Sequence, residues 1–265
     1  MFKCKKVRKV RWLMALGLSA LTMGAGVMSG SVAGASPVAV GHEIKNPDNS
    51  PMVVHWAVLT STPGQMKKMG AYAAQLVGPK SMREEGTYML YGCTPTDNPD
   101  VNILLEVYRS EADYELHVGS KEFAQYEAAR RPILRDLHFV YTEPIVMMSK
   151  DPGLVGTAVR LTYVEPEEDQ VDAYRQMVKE EYTRAVNYDD GVLVMVANNE
   201  LGNPGRIHSY LLFRDKSAEK AYYSSEAYEA FANKAKTMLK VNHHIDGAPT
   251  RTTISSKPGY TIQER

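Results

Sequence analysis

The sequence contains only two cysteines among its 265 residues, Cys4 and Cys93. Cys4 lies in a basic leader that we expect to be removed, so the mature chain could form no intrachain disulfide and must depend on packed cores. The sequence also lacks a glycine-rich phosphate loop, a nucleophile elbow, a His-Glu-x-x-His stretch and a paired-cysteine site. No common nucleotide-binding, hydrolase or zinc motif therefore accounts for the chain.

The first 35 residues predict a Sec-type signal peptide. Six basic residues and no acid fall within residues 3–11, an apolar run covers residues 12–27, and Ala33-Gly34-Ala35 follows. Cleavage after Ala35 would make the protein periplasmic or secreted, with no stable membrane anchor. A retained anchor is the alternative, and the short apolar run, rich in Gly and Ser, argues against it.

Loss of the leader changes the charge balance. Removing its six basic residues from the total of 31 leaves 25, against 31 acidic residues. The mature chain would be mildly acidic, which argues against nucleic-acid binding.

A shift of 105 positions aligns the chain with itself without a gap. The shift places Gly86 on Gly191 and Arg109 on Arg214. Two tandem copies of one domain of about 100 residues explain this register. We predict a linker at 36–50, a first domain at 51–150, a second domain at 156–255 and a tail at 256–265.

Within each copy the hydrophobic pattern changes in the order strand, helix, strand, strand, helix, strand. This order is the ferredoxin-like arrangement, an antiparallel sheet with helices on one face. The other sheet face needs a partner, and the first strands carry apolar residues on both faces. We therefore expect the two sheets to pack together as a pseudo-dimer within one chain.

Residues 105–112, followed by His117, Ser120 and Phe123, resemble the third strand and following helix of the antibiotic biosynthesis monooxygenase family. Residues 211–218 form the corresponding run in the second copy. The family consists of small dimeric α/β-barrel proteins that include quinol monooxygenases and haem-degrading enzymes. The resemblance implies an α+β fold in which two tandem ferredoxin-like (βαββαβ) domains form an intramolecular dimeric α/β-barrel.

The resemblance also implies an exported, cofactor-independent monooxygenase that acts on a quinol or another electron-rich aromatic substrate with dioxygen. Such a substrate, once deprotonated, can pass an electron directly to dioxygen, so the protein need supply only a base, a dry pocket and hydrogen bonds. His117 matches the family's histidine, and histidine titrates near neutral pH. We predict His117 as the catalytic base; a histidine that is exposed or caps a turn is the alternative.

We expect aromatic walls around His117 and a cation at their edge. The predicted substrate-binding residues are Trp56, Tyr88, Tyr108, Arg109, Phe123 and Tyr126. Trp56 and His55 must point to opposite faces of a strand, and we assign Trp56 to the pocket. Core packing is the alternative for Phe123 and Tyr126, and a surface salt bridge is the alternative for Arg109.

The second copy departs from this pattern at the base and at two aromatic walls. Its residues there are Tyr222, Leu161 and Leu193. We therefore predict that the first copy holds the working site and that the second completes the pseudo-dimer. Tyr210, Tyr223 and Tyr228 leave a different pocket open in the second copy. Ser120 and Ser225 are expected to be helix N-caps.

Two other functions stay open. One is a non-catalytic exported protein of the same fold that binds or senses a ligand, because fold does not determine function. The other is haem degradation, in which the family binds iron through a histidine and carries an asparagine on the first strand. The aligned residues here are Glu127 and Ala57, and Ala232 and Thr162 in the second copy. We therefore predict no metal and no cofactor.

Overall fold

The chain folds into strands and helices in the predicted order. This computed structural model describes residues 41–150 and 156–250 and the two-residue strand Ile254–Ser255. The predicted signal peptide, the start of the predicted linker and the predicted tail lie outside the described residues. Among the helices that are described, none combines the length and the apolar character that a membrane span requires.

The first half contains five strands and four α-helices. The strands are β1 (His42–Glu43), β2 (Val53–Ser61), β3 (Thr87–Pro95), β4 (Val101–Tyr108) and β5 (Leu134–Ser149). The helices are α1 (Met66–Tyr72), α2 (Gly78–Ser81), α3 (Glu111–Val118) and α4 (Lys121–Arg130). A π-helical turn, Ala73–Val77, joins α1 to α2.

The second half repeats this order with one long helix in place of α1 and α2. Its strands are β6 (Ala158–Pro166), β7 (Val192–Glu200), β8 (Asn203–Phe213), β9 (Leu239–Pro249) and β10 (Ile254–Ser255). Its helices are α5 (Val171–Tyr188), α6 (Lys216–Tyr223) and α7 (Glu226–Lys236), with a short 3₁₀ turn, Glu168–Gln170, before α5.

Side-chain caps begin the paired helices of both halves. Ser120 accepts a hydrogen bond from the Phe123 amide at the start of α4, and Ser225 accepts one from the Tyr228 amide at the start of α7. These contacts satisfy amides that the first helical turn leaves without a partner. The interpretation of both serines as N-caps is confirmed.

Eight strands close into a barrel. Hydrogen bonding runs in the order β5-β2-β4-β3-β9-β6-β8-β7, and β7 pairs again with β5. The predicted α+β fold, an intramolecular dimeric α/β-barrel, is confirmed. The two sheets do more than face each other, because they also join by antiparallel pairing at both edges.

The shift of 105 positions also relates the elements of the two halves. Strand β2 begins at Val53 and β6 at Ala158, whereas α3 begins at Glu111 and α6 at Lys216. The domain boundaries remain a prediction, but the register allows residues of the two halves to be compared position by position.

Strand alternation divides the side chains between the barrel interior and the face covered by helices. The interior cluster draws apolar residues from both halves, among them Trp56, Tyr88, Met89, Leu105, Val196 and Tyr210. The helix-covered face of the second half forms a separate, large cluster that includes Tyr174, Tyr182, Phe213 and Tyr222. A ligand site in either half can therefore lie inside the barrel or beneath the helices.

The repeated glycine at the start of β3 and β7 allows a close approach of helix and strand. A Cβ at Gly191 would lie 2.2 Å from the Cβ of Ala218 and 3.2 Å from its Cα, at the start of α6. We expect Gly191→Ala to lower the free energy of unfolding by about 1–3 kcal/mol, because α6 would have to move away from the sheet.

Gly70→Ala is the matched control, since a Cβ there meets nothing within 4 Å. That change should leave stability equal or raise it by about 0.5–1 kcal/mol through helix propensity. Denaturant unfolding followed by circular dichroism measures both effects. Equal stability of Gly191→Ala and the wild type would show that the helix does not depend on this close contact.

Candidate functional site

His117 lies in the last turn of α3 and its side chain is buried beneath the helix. Its Nδ1 atom lies 2.7 Å from Oε2 of Glu84. Its ring centroid lies 5.3 Å from the rings of both Tyr108 and Phe123. The alternative of an exposed histidine is therefore wrong. Because Glu84 occupies Nδ1, any proton that His117 exchanges with a substrate must pass through Nε2.

Glu84 is held as a carboxylate. It accepts hydrogen bonds from the Thr87 hydroxyl, at 2.8 Å, and from the Lys80 ammonium group. Burial acts to raise the pKa of Glu84, but the hydrogen bonds from His117 and Lys80 outweigh it and lower the pKa to about 2. A carboxylate that orients an imidazole is the arrangement expected of a positioned base.

A second buried network, which the sequence did not predict, adjoins this pair. The Tyr108 hydroxyl donates to Oε2 of Glu106 at 3.1 Å, and Nε2 of His55 lies 2.7 Å from the same oxygen. Burial raises the pKa of the Tyr108 hydroxyl well above its ordinary value. Tyr108 thus lies between two histidines, because its ring contacts His55 at 6.0 Å and His117 at 5.3 Å.

The predicted pocket residues do not lie on one face of the sheet. Trp56 pairs in register with Leu105, and both belong to the barrel interior, as does Tyr88. Tyr108 is three residues beyond Leu105 on β4 and points to the helices. Trp56 instead contacts His208 of the second half at 5.9 Å between ring centroids. The prediction placed Trp56 in the His117 pocket and His55 on the other face. The structure shows the reverse: His55 faces the helices beside Tyr108, and Trp56 faces the barrel interior.

Arg109 was predicted to bind substrate, with a surface salt bridge as the alternative. The structure shows the salt bridge. Its guanidinium is half-exposed and lies 2.7 Å from the Asp113 carboxylate, one turn along α3. The Asp113 contact raises the Arg109 pKa. Nothing in this geometry directs the cation toward His117.

Phe123 contacts His117 and Tyr126 contacts Phe123, but an arginine packs against both aromatic rings. The Cζ atom of Arg130 lies 4.9 Å from the Tyr126 ring centroid and 5.9 Å from that of Phe123. Arg130 is only 8% exposed, so its stem and guanidinium pack against both rings. Of the predicted aromatic walls, Phe123 and Tyr126 are therefore covered by Arg130.

A cavity of about 380 Å³ lies in the second half, between the sheet and α5, α6 and α7. Its lining is Thr162, Val164, Tyr174, Tyr182, Leu211, Tyr222, Tyr223, Tyr228, Phe231, Ala232, Ala235, Lys236, Leu239 and Asn242. Six of these side chains are aromatic. Apolar and aromatic walls with a few polar groups, at this volume, are typical of small-molecule sites.

The aromatic rings of the cavity wall support one another. The rings of Tyr222, Tyr223 and Tyr228 lie 4.7–5.0 Å apart, centroid to centroid. The Cζ atom of Arg160 lies 4.4 Å above the Tyr223 ring, and the Arg160 guanidinium is ion-paired with Asp246. These contacts support the tyrosine wall of the cavity.

The difference between the halves arises at a few aligned positions. Ala235 occupies the position of Arg130, so the volume that Arg130 fills in the first half is open in the second. Leu211 and Ala232 stand where the first half has Glu106 and Glu127. The 105-residue register already aligned Arg130 with Ala235. Only the buried stacking of Arg130 shows why a small residue at this position leaves a cavity.

Burial keeps the tyrosines of the cavity protonated. It raises the pKa of Tyr174, Tyr182, Tyr222 and Tyr223 above the ordinary value for tyrosine. Neutral hydroxyls can donate hydrogen bonds but are poor bases. Among the residues that line the cavity none is His, Asp or Glu. In the described parts of the chain no three His, Cys, Asp or Glu side chains are grouped to hold a metal.

The closed barrel of two βαββαβ halves defines a dimeric α/β-barrel protein. The family model for antibiotic biosynthesis monooxygenase matches residues 52–129. The first half therefore contains a domain of the antibiotic biosynthesis monooxygenase family, and the match supports a monooxygenase-type function. No curated protein matches the sequence.

Solved structures share the architecture over most of the chain. A candidate monooxygenase from Lactobacillus acidophilus has a TM-score of 0.70 at 17% identity, covering 78% of this chain and 100% of its own. One from Fusobacterium nucleatum has a TM-score of 0.70 at 11% identity, covering 76% and 94%. An anthrone oxidase-like protein has a TM-score of 0.53 at 15% identity, covering 78% and 94%. At these identities the likeness shows the fold.

The Glu84–His117 pair predicts a specific pH dependence. Because the folded pKa of Glu84 is lowered from 4.5 to about 2, its stabilisation is complete above the unfolded value and is lost as pH falls through the folded one. We expect Glu84→Gln to cost about 1–3 kcal/mol at neutral pH, and most of this cost should be lost at about pH 2.

Urea unfolding of the wild type and Glu84→Gln between neutral pH and pH 2 measures this effect. Glu85→Gln is the control, because Glu85 is an exposed neighbour of the same charge. A cost for Glu84→Gln that is unchanged down to pH 2 would mean that the loss is one of packing and not of the carboxylate.

Proposed function

We propose that this protein is a monooxygenase that oxidises a quinol or another electron-rich aromatic compound in the cavity of the second half. The observation that carries this proposal is the aromatic-lined cavity of about 380 Å³, in a chain whose first half matches a monooxygenase family. Stacked tyrosines suit a flat ring, and their hydroxyls suit its oxygen substituents.

The chemistry needs little from the protein. The substrate loses a proton, its anion gives one electron to dioxygen, and superoxide and the ring radical combine into a ring hydroperoxide, which then loses water. For a quinol the products are a hydroxyquinone and water, and the quinol supplies all of the electrons. The protein excludes bulk water, holds the ring and donates hydrogen bonds to the oxygen that carries the negative charge.

The two halves offer different sources of a base. No imidazole or carboxylate lines the second-half cavity, so a substrate there must bind as its anion or release its proton at the mouth. His117 remains the predicted base of a first-half site, where Arg130 fills the space that a substrate would need. Activity measurements on full-chain variants with a change in one half or the other distinguish these two sources.

Export completes the proposal. The basic, apolar and small-residue segments of residues 1–35 support a cleaved leader and a periplasmic or secreted enzyme. Amino-terminal sequencing of the protein from the producing cell should then begin at Ser36. An amino terminus at Met1 would contradict export by cleavage.

The decisive change is Ala235→Arg, which places the first half's residue in the second-half cavity. Oxygen uptake with hydroquinones and naphthohydroquinones should fall to the rate of autoxidation, because the guanidinium occupies the ring site. Ala230→Arg is the matched control: it puts the same side chain on an exposed position of α7 that does not line the cavity. Circular dichroism establishes whether both variants fold. If Ala235→Arg does not fold, Ala235→Leu replaces it as the variant that fills the cavity.

The same assay with His117→Gln assigns the half. If the second-half cavity is the site, His117→Gln should retain most of its activity. A loss of about a hundredfold or more in His117→Gln, with Ala235→Arg unaffected, would place the chemistry in the first half.

A non-catalytic ligand-binding protein is the second candidate. The absence of an imidazole or carboxylate from the cavity lining favours it. Such a protein would bind the quinols in titrations, and Ala235→Arg would remove that binding, but oxygen uptake would not exceed autoxidation in any variant.

A further inference from the structure

The cavity of the second half carries an uneven charge. Lys236 is the one charged residue among the described side chains that line it, and it lies at the end of α7. The side chain is exposed, whereas Tyr174, Tyr182 and Tyr222 in the wall are buried. Lys236 therefore stands at the mouth, and the aromatic rings form the interior.

No acid balances this lysine. Within the described chain, Lys236 forms no ion pair with any Asp or Glu, whereas Arg160, beneath α6, is paired with Asp246 and Glu219. Two cavity-wall residues, Leu211 and Ala232, occupy positions that are acidic in the first half. The aligned residues there are Glu106 and Glu127. No acid among the described residues lines the cavity, so Lys236 is the charged side chain that a bound substrate would contact. The buried carboxylates of Glu181 and Glu219 lie outside the lining, next to the tyrosine wall.

We infer that the substrate is an aromatic acid: a hydroxylated ring that lies between the tyrosines and carries a carboxylate, which Lys236 binds at the mouth. This inference rests on the proposed function for the identity of the site. An ammonium group at the edge of an apolar cleft attracts an anion, and attraction across a low-dielectric wall also raises the rate of encounter. The substituent that sets specificity would then stay at the solvent edge, while the reacting ring lies inside.

Binding of two stable probes to the full chain tests the inference. The probes are para-hydroxybenzoate and its methyl ester, which share a ring and a hydroxyl and differ in charge. Ligand-observed NMR titration gives both dissociation constants. We expect the acid to bind about three- to fivefold more tightly than the ester, as is usual for one partly exposed ion pair, and the preference to decrease at high salt.

Variants of α7 assign the effect to one residue. Lys236→Met should remove the preference for the acid and leave the ester unchanged, whereas Lys236→Arg should keep it. Lys234→Met is the matched control, because Lys234 is an exposed lysine of the same helix that does not line the cavity. A preference that survives Lys236→Met, or that Lys234→Met removes equally, would overturn the inference.

The outcomes separate this inference from the proposed function. Equal binding of the acid and the ester, both abolished in Ala235→Arg, would overturn the carboxylate assignment and leave the cavity as an aromatic site. A carboxylate preference without oxygen uptake on hydroxylated aromatic acids would support the inference and refute the monooxygenase. Failure of both probes to bind would overturn the cavity as a site for aromatic acids.

Discussion

The antiparallel pairing of β5 with strands of both halves is the constraint on which the rest of the structure depends. From Leu134 to Thr142 this strand pairs with β2, and from Thr142 to Ser149 it pairs with β7. Strand β9 makes the equivalent crossing from β6 to β3. Because every strand of the barrel then has two neighbours, no edge is left open, and the helices need only cover the outer face. Each half can therefore change its helix-covered side without loss of the barrel.

The helix-covered faces of the two halves differ in how the volume beneath the helices is filled. In the first, the volume beneath the helices is filled by Arg130 stacked on Phe123 and Tyr126, beside the charged Glu84–His117 pair. In the second, Ala235 leaves that volume empty and tyrosines surround it. In the first half Arg130 packs beside the residues of a possible base, and in the described part of the second half no base lines the cavity. Within the described chain, each half therefore lacks a feature that the other half has: the first lacks the volume that Ala235 leaves open, and the second lacks a counterpart of the buried Glu84–His117 pair.

The sequence was sufficient for the fold, because the gapless register and the changing hydrophobic period are properties of many residues at once. The site was harder to predict, since it depends on which face a few side chains occupy. The period-2 argument correctly separated His55 from Trp56, but it could not say which of them faces the helices. Nothing in the sequence distinguishes Arg130 from a surface arginine near a helix end. Only its stacking on two rings shows what its replacement by Ala235 changes. The match of Ser120 and Ser225 to N-caps was predictable because capping is local.

The position of a bound aromatic compound tests the account most directly. A crystal structure of the protein with a redox-inert analogue of a quinol, such as its dimethyl ether, would locate the ring without turnover. The account predicts the ring beneath α6 and α7, against Tyr222, Tyr223 and Tyr228. A ring bound beside His117 with Arg130 displaced, or inside the barrel against Trp56, would contradict it.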